Sequence, residues 1–424
     1  MKTTKLFFMA ALALMTAACS NNDNDILAPA EQPAKAEGIP FTATISISQS
    51  ASTRALTENG TKIEATWAVD DKVALIHNGV KDVMTVSAVN AGVATITGTI
   101  KGSPSGGDAV TIIYPSDAAD GTTGNVKSDW LSSQVGTLKG TSGTSIEEKY
   151  DVRKGSGALN ASGTSLDGTV SLTNQNAIFK LTLKDIDGTN DVSATSVVIS
   201  DQTGVVTTVT PASGYENAMY VALPTTATTL KFLVTGSDSK KYFNMASSLS
   251  LGASYYQSTV KLATVGDVIL STGKCAKAGT GSPVAMIAYL GNGSDCTNGL
   301  AIALADESGK KIYEAAGTAC SSKAAVTGGT WRLPSIKDWQ YMFIGCGASG
   351  SYSDNPTSLM SYSGLASKLT TAQGDALQTD FYWSSTETSP GSAAWCVYFD
   401  DSNADFYPSC PEYYDFLVRA CLAF

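Results

Sequence analysis

The chain reads as mainly β, two β-sandwiches followed by an α+β domain, and three observations carry that expectation. Charged residues are only 16% of the 424 while Gly alone numbers 39, with Ser and Thr abundant, which suits many turns and few long amphipathic helices. From Phe41 onward, short apolar segments alternate with polar positions at a period of two, punctuated by Gly, Asn and Asp clusters. Every cysteine but Cys19 falls in the last third (Cys275, Cys296, Cys320, Cys346, Cys396, Cys410, Cys421), which marks a C-terminal region of different character.

Residues 1–19 read as a signal peptide. Lys2 and Lys5 supply the positive start, Leu6 to Met15 an apolar run too short to span a bilayer, and Thr16-Ala17-Ala18 small residues for cleavage. With Cys19 next, the site resembles a lipobox, although Thr16 stands where leucine is usual. The resemblance implies lipidation of Cys19. The acidic tract Ser20–Asp25 resembles the surface-export signal of some Gram-negative lipoproteins, and residues 20–38 as a whole read as a disordered tether. No later run approaches the ~18 apolar residues of a membrane helix, so the lipid is expected to hold the protein to the outer membrane.

About 390 residues remain, enough for two to three domains with proper cores. Residues 39–168 and 169–263 read as the two sandwiches. Phe41, Ala43, Ile45 and Ile47 alternate with Thr42, Thr44 and Ser46, and similar strands are expected at 72–76, 83–86, 94–100, 109–114, 177–183, 196–199, 219–223 and 230–234. The Gly/Ser/Thr-rich stretches 116–138 and 140–165 read as loops.

Phe41-Thr42-Ala43-Thr44-Ile45, Thr53-Arg54-Ala55, Trp67-Ala68-Val69-Asp70-Asp71-Lys72-Val73, Ile113-Tyr114-Pro115 and Leu251-Gly252-Ala253-Ser254-Tyr255-Tyr256 together resemble the fimbrillin family of lipoprotein pilins. The family pattern has Gly-Asp where this chain has Asp70-Asp71. The resemblance implies two transthyretin-like Greek-key sandwiches, protease cleavage at Arg54-Ala55, loss of the first strand, and a strand donated by another fimbrillin subunit in its place. The local physics agrees, because Arg54 follows an alternating strand in a polar stretch where proteases act, and losing that strand would open an edge for β-augmentation.

Residues 264–424 read as the ligand-binding domain. In Trp331-Arg332-Leu333-Pro334-Ser335, Ser335 is placed to cap a helix carrying Ile336, Trp339 and Phe343, with Asp338 as the capping-box acid. Ala394 to Phe399 alternate as a strand with one buried face. Most of Trp331, Trp339, Trp383 and Trp395 are expected in the core. Together with Phe381-Tyr382-Trp383-Ser384-Ser385-Thr386 and Leu417-Val418-Arg419-Ala420-Cys421, these blocks resemble the bacterial branch of the C-type-lectin-like fold.

Between Trp395 and Val418 the sequence is polar and aromatic without a period, a composition that suits binding loops because Tyr brings contact area at little entropic cost. The candidate ligand residues are Trp395, Asp400, Asp401, Asn403, Asp405, Tyr407, Glu412, Tyr413 and Tyr414. The pattern also resembles the variable region of proteins diversified by retroelements. Aromatic faces suit sugar rings and protein surfaces alike, so the ligand, a surface glycan or protein of a host or neighbouring cell, stays open.

Other classes are excluded or disfavoured. A net charge of -10 without a basic patch argues against nucleic acid. No Cys-x-x-Cys pair exists and the single histidine, His77, lies in another domain, so no metal or other cofactor is expected. Calcium at Asp400, Asp401, Asn403 and Asp405 would lack EF-hand spacing. Nothing pairs a nucleophile with a base, so an enzyme is not expected. An exported location favours disulfides among the seven C-terminal cysteines, with pairing open and at least one left over. The expected function is a pilus-tip adhesin, since the chain ends in a lectin-like domain and not in a free donor strand. The alternative is a static surface lipoprotein that captures glycans.

Overall fold

The computed structural model describes residues 38–47, 56–59, 62–140, 144–246 and 248–424. Cys19, Arg54 and Ala55 lie outside them. Strand outweighs helix along the whole described chain, so the mainly β expectation stands.

The first sheet closes on itself. Its order is Ile39–Ile47, Val170–Asn174, Arg153–Ala158, Ala109–Tyr114, Lys72–His77, Val80–Asn90 and Val93–Ile100, returning to Ile39–Ile47. The alternation read in the sequence points Phe41, Ala43, Ile45 and Ile47 into a core shared with Trp67, Leu75, Met84, Ile96, Ile112 and Leu172. A closed barrel thus stands where a first sandwich was expected, and Val170–Asn174, beyond the expected boundary at 168, is one of its strands.

Arg153–Ala158 corrects a second expectation, since it falls within a stretch read as loop. Its glycines are the reason. A Cβ on Gly155 would lie 2.5 Å from the Ser171 carbonyl, and one on Gly157 2.5 Å from Val170 Cγ2. Glycine here marks a strand whose neighbour lies too close for a side chain, not a turn.

Next come a three-stranded sheet (Ala218–Pro224, Asn176–Asp185, Tyr255–Leu262) and a five-stranded one (Lys241–Ala246, Leu230–Gly236, Ala194–Ser200, Val205–Val209, Ser133–Gln134). Both contribute to one core, with Leu181, Val221 and Val260 from the first and Val197, Ile199 and Phe232 from the second. Ser133–Gln134 comes from the other stretch read as loop. The buried Gln134 amide explains its place, donating to the Ala222 carbonyl at 2.8 Å and accepting from the Ala222 N–H at 2.9 Å.

The C-terminal part combines a six-stranded sheet, a four-stranded sheet and the helices Tyr313–Ser321, Ile336–Gly345 and Ser363–Thr371. The expected capping box is present: Ser335 Oγ accepts from the Asp338 N–H at 3.1 Å, and the Asp338 carboxylate accepts from the Ser335 N–H at 2.8 Å. The same carboxylate takes the Arg332 guanidinium at 2.8 Å and the Ser294 hydroxyl. Trp331, Trp339, Trp383 and Trp395 are all buried, as framework rings should be. Arg419, fully buried, ion-pairs with Asp306 and donates to the carbonyls of Ala303, Leu304 and Asp375 at 3.2–3.3 Å, so its charge is matched inside the core.

Cys396 and Cys410 form a disulfide, and Cys275, Cys296, Cys320, Cys346 and Cys421 are thiols. Burial pushes the Cys320 and Cys346 thiols up to about 12, so these two pack as small apolar groups and stay protonated at neutral pH.

Candidate functional site

The four-stranded sheet, in the order Met360–Ser361, Asn403–Pro411, Ala393–Phe399 and Phe381–Ser389, builds the site. Ala393–Phe399 is buried on both faces, not on one as expected. Trp395, Val397 and Phe399 pack toward the helix residues Trp339 and Phe343, while Ala394 and Cys396 join Trp383, Trp331 and Phe424 in a second cluster. That second face comes into the open at its end. There Phe381, Tyr398 and Asp405 stand in one register row across three strands.

The stretch read as an aperiodic binding loop is largely a strand, Asn403–Pro411. Its period is hidden by a bulge: Ala394 faces Cys410 while Cys396 faces Tyr407, so Pro408 and Ser409 together oppose the single residue Trp395 and the ladder holds one extra residue. Ala404, Phe406 and Cys410 point inward, and residues 407–409 are exposed.

The bulge makes a cleft. Phe381, Tyr407, Pro408, Ser409, Cys410, Pro411, Tyr414 and Phe416 line a cavity of about 330 Å³ whose walls are mostly carbon. Phe381 ties its rings together, stacking on Phe416 at 5.0 Å between centroids and meeting Tyr407 edge-on at 5.4 Å and Tyr398 at 4.8 Å. Tyr407, Tyr413 and Tyr414 are exposed at 40%, 72% and 47%, which leaves their faces free for contact. Tyr407 hydrogen-bonds Asp405 and Tyr413 hydrogen-bonds Tyr414, and both pairings raise the tyrosine pKa.

The expected ligand residues divide into three groups. Tyr407 and Tyr414 line the cleft, with Asp405, Glu412 and Tyr413 at neighbouring positions. Asp400 and Asp401 belong to the turn that leads into the strand and Asn403 is its first residue, ~13 Å before Tyr407 at ~3.3 Å per residue, and none of the three lines the cleft. Asp400 is moreover committed to that turn. Its carboxylate accepts the N–H groups of Ser402 (2.9 Å) and Asn403 (2.6 Å), which lowers its pKa, and its carbonyl accepts the Tyr362 hydroxyl at 2.6 Å. Trp395 is corrected outright, being only 5% exposed and part of the core.

Phe381, Pro408, Pro411 and Phe416 complete the cleft and were not among the expected ligand residues. The two prolines, which cannot donate to a ladder, were the available signal of a break.

No protein-family model and no curated protein matches the chain. Among solved structures it is similar to a fimbrial protein from Bacteroides ovatus, at 12% identity and a TM-score of 0.30, covering 92% of this chain and 100% of that one. It is also similar to a fimbrial assembly protein from Parabacteroides distasonis, at 11% identity and a TM-score of 0.28, covering 52% of this chain and 90% of that one. At this level of likeness neither lends the chain a function.

Proposed function

We propose that this chain is a cell-surface fimbrial adhesin. It is lipid-anchored through Cys19 and loses its first strand by cleavage between Arg54 and Ala55. The opened barrel accepts a strand from another subunit, and residues 264–424 stand at the fibre tip and bind a surface ligand through the aromatic cleft.

The observation that carries this reading is the seating of Ile39–Ile47. It runs antiparallel to Val93–Ile100 and parallel to Val170–Asn174, the two strands it keeps apart. Taking it out would leave two unpaired edges and an apolar trough under Phe41, Ala43, Ile45 and Ile47. Burying its three large side chains is worth about 5–8 kcal/mol, so the trough favours a replacement strand over water. The chain beyond Ala55 is held independently: Leu56 is buried and its N–H donates to the Glu147 carboxylate at 2.7 Å.

Digestion of the folded protein with an arginine-specific protease tests the assembly step. The expected product begins at Ala55, releases the 39–47 strand, and takes up a synthetic Ile39–Ile47 peptide with a gain in thermal stability. A folded protein that resists cutting at Arg54, or a cut one that takes up no strand, would count against it.

A further inference from the structure

The walls of the cleft discriminate between a sugar and a protein ligand. We infer that it takes an extended, proline-containing peptide segment of a partner protein, flanked by lysine or arginine. This inference rests on the reading that the Phe381 face is the binding face.

A sugar ring needs more than a stacking partner. Its hydroxyls leave water on binding, and each one left unmet costs about 1–3 kcal/mol. The cleft itself offers few polar groups, since among its eight lining residues only Tyr407, Ser409 and Tyr414 carry a hydroxyl and none carries a charge or a side-chain amide. Asp400 serves its own turn, outside the cleft lining. What the cleft offers is ring faces and two prolines, the lining that suits an apolar anchor. Aromatic-lined grooves favour proline-rich segments because their extended conformation is pre-set and loses little entropy on docking. A volume of about 330 Å³ sits at the small end of ligand pockets, ~300–1,000 Å³, and suits a short anchor.

Charge selects the flanks. Asp380, Glu387, Asp405, Glu412 and Asp415 lie in the segments that build the cleft, and residues 380–416 contain no lysine, arginine or histidine. Lys310 and Asp380 cancel each other, and Lys311 keeps its charge with its ammonium at the Ser308 carbonyl, so the four remaining carboxylates outnumber this one cation. The surround is therefore acidic, which steers a cationic partner in and weakens with salt.

The test uses fluorescence anisotropy with the full mature chain and the labelled peptides KKPLPPLPKK, EEPLPPLPEE and KKGSGGSGKK. The expected result is micromolar binding of the first alone, at least about tenfold weaker for Tyr414→Ala and several-fold weaker as salt rises from about 0.05 to about 0.5 M. Tyr414 is 47% exposed and outside the buried core, so the variant should keep the fold. No binding, equal binding of KKGSGGSGKK, or Tyr414-dependent binding of simple oligosaccharides instead would overturn the inference. Attachment of protein-coated beads to cells separates this from the underlying reading. If attachment is lost in Tyr414→Ala but only sugars compete for it, the face binds and the peptide chemistry is wrong. If attachment survives Tyr414→Ala, the face itself is wrong.

Discussion

Glu58 shows how much a single side chain can organise. It sits on the short hairpin of Thr57–Asn59 and Lys62–Glu64, next to the proposed cut, and reaches to the three-stranded sheet. Its carboxylate accepts from Tyr220 (2.6 Å), Lys180 (2.9 Å), Tyr255 (2.8 Å) and Gln257 (3.1 Å). The Tyr220 hydrogen bond and then Lys180 are the main causes that hold its pKa down to about 2. A depressed carboxylate pKa gives stability that is fully present above the unfolded value near 4.5 and lost as pH falls through about 2. Glu58→Ala should therefore cost about 2 kcal/mol at pH 7, allowing for partial solvent screening, and almost nothing at pH 2. Urea unfolding at both pH values checks this, and an equal loss at both would show that the contact acts only by shape. The sequence offered no hint of the cluster, because its members are 122 to 199 residues from Glu58. Trp395 was misread for a related reason: composition names a ring, but only packing decides whether its face is free.

At the scale of elements, local chemistry was legible and close backbone approach was not. The capping box at Ser335 and Asp338 could be read directly, since its residues are near neighbours and the hydrogen bonds follow from spacing. So could the Phe41–Ile47 alternation. Arg153–Ala158 could not, because its glycines look like turn residues until the strand Val170–Asn174 is laid against them. The consequence can be tested. Gly157→Val would press a branched side chain into Val170 and cost about 2–3 kcal/mol or open the barrel at this seam, whereas Gly317→Ala, in open space at an ordinary helical φ, would lack any such clash. Thermal unfolding of the two variants decides, and a Gly157→Val protein as stable as wild type would mean that the strands part easily here. The bulge at Pro408 and Ser409 hid the Asn403–Pro411 strand in the same way, by breaking the period on which strand reading depends.

For the molecule as a whole, the two halves divide the proposed work. The barrel holds a first strand between two neighbours that do not pair with each other, which suits exchange. The C-terminal part opens an aromatic cleft on its four-stranded sheet, which suits presentation. The mainly β class and the change of character in the last third were visible in composition and cysteine placement. The barrel closure and the separation of the acidic turn from the tyrosine cleft depended on register, which no single segment reveals. The central claim is that residues 264–424 are carried at the end of a fibre. Immunogold electron microscopy on intact cells, with antibody raised against that region, tests it most directly. The account predicts gold at the far ends of thin filaments; gold spread over the outer membrane with no filament would contradict it and favour a static, ligand-capturing lipoprotein.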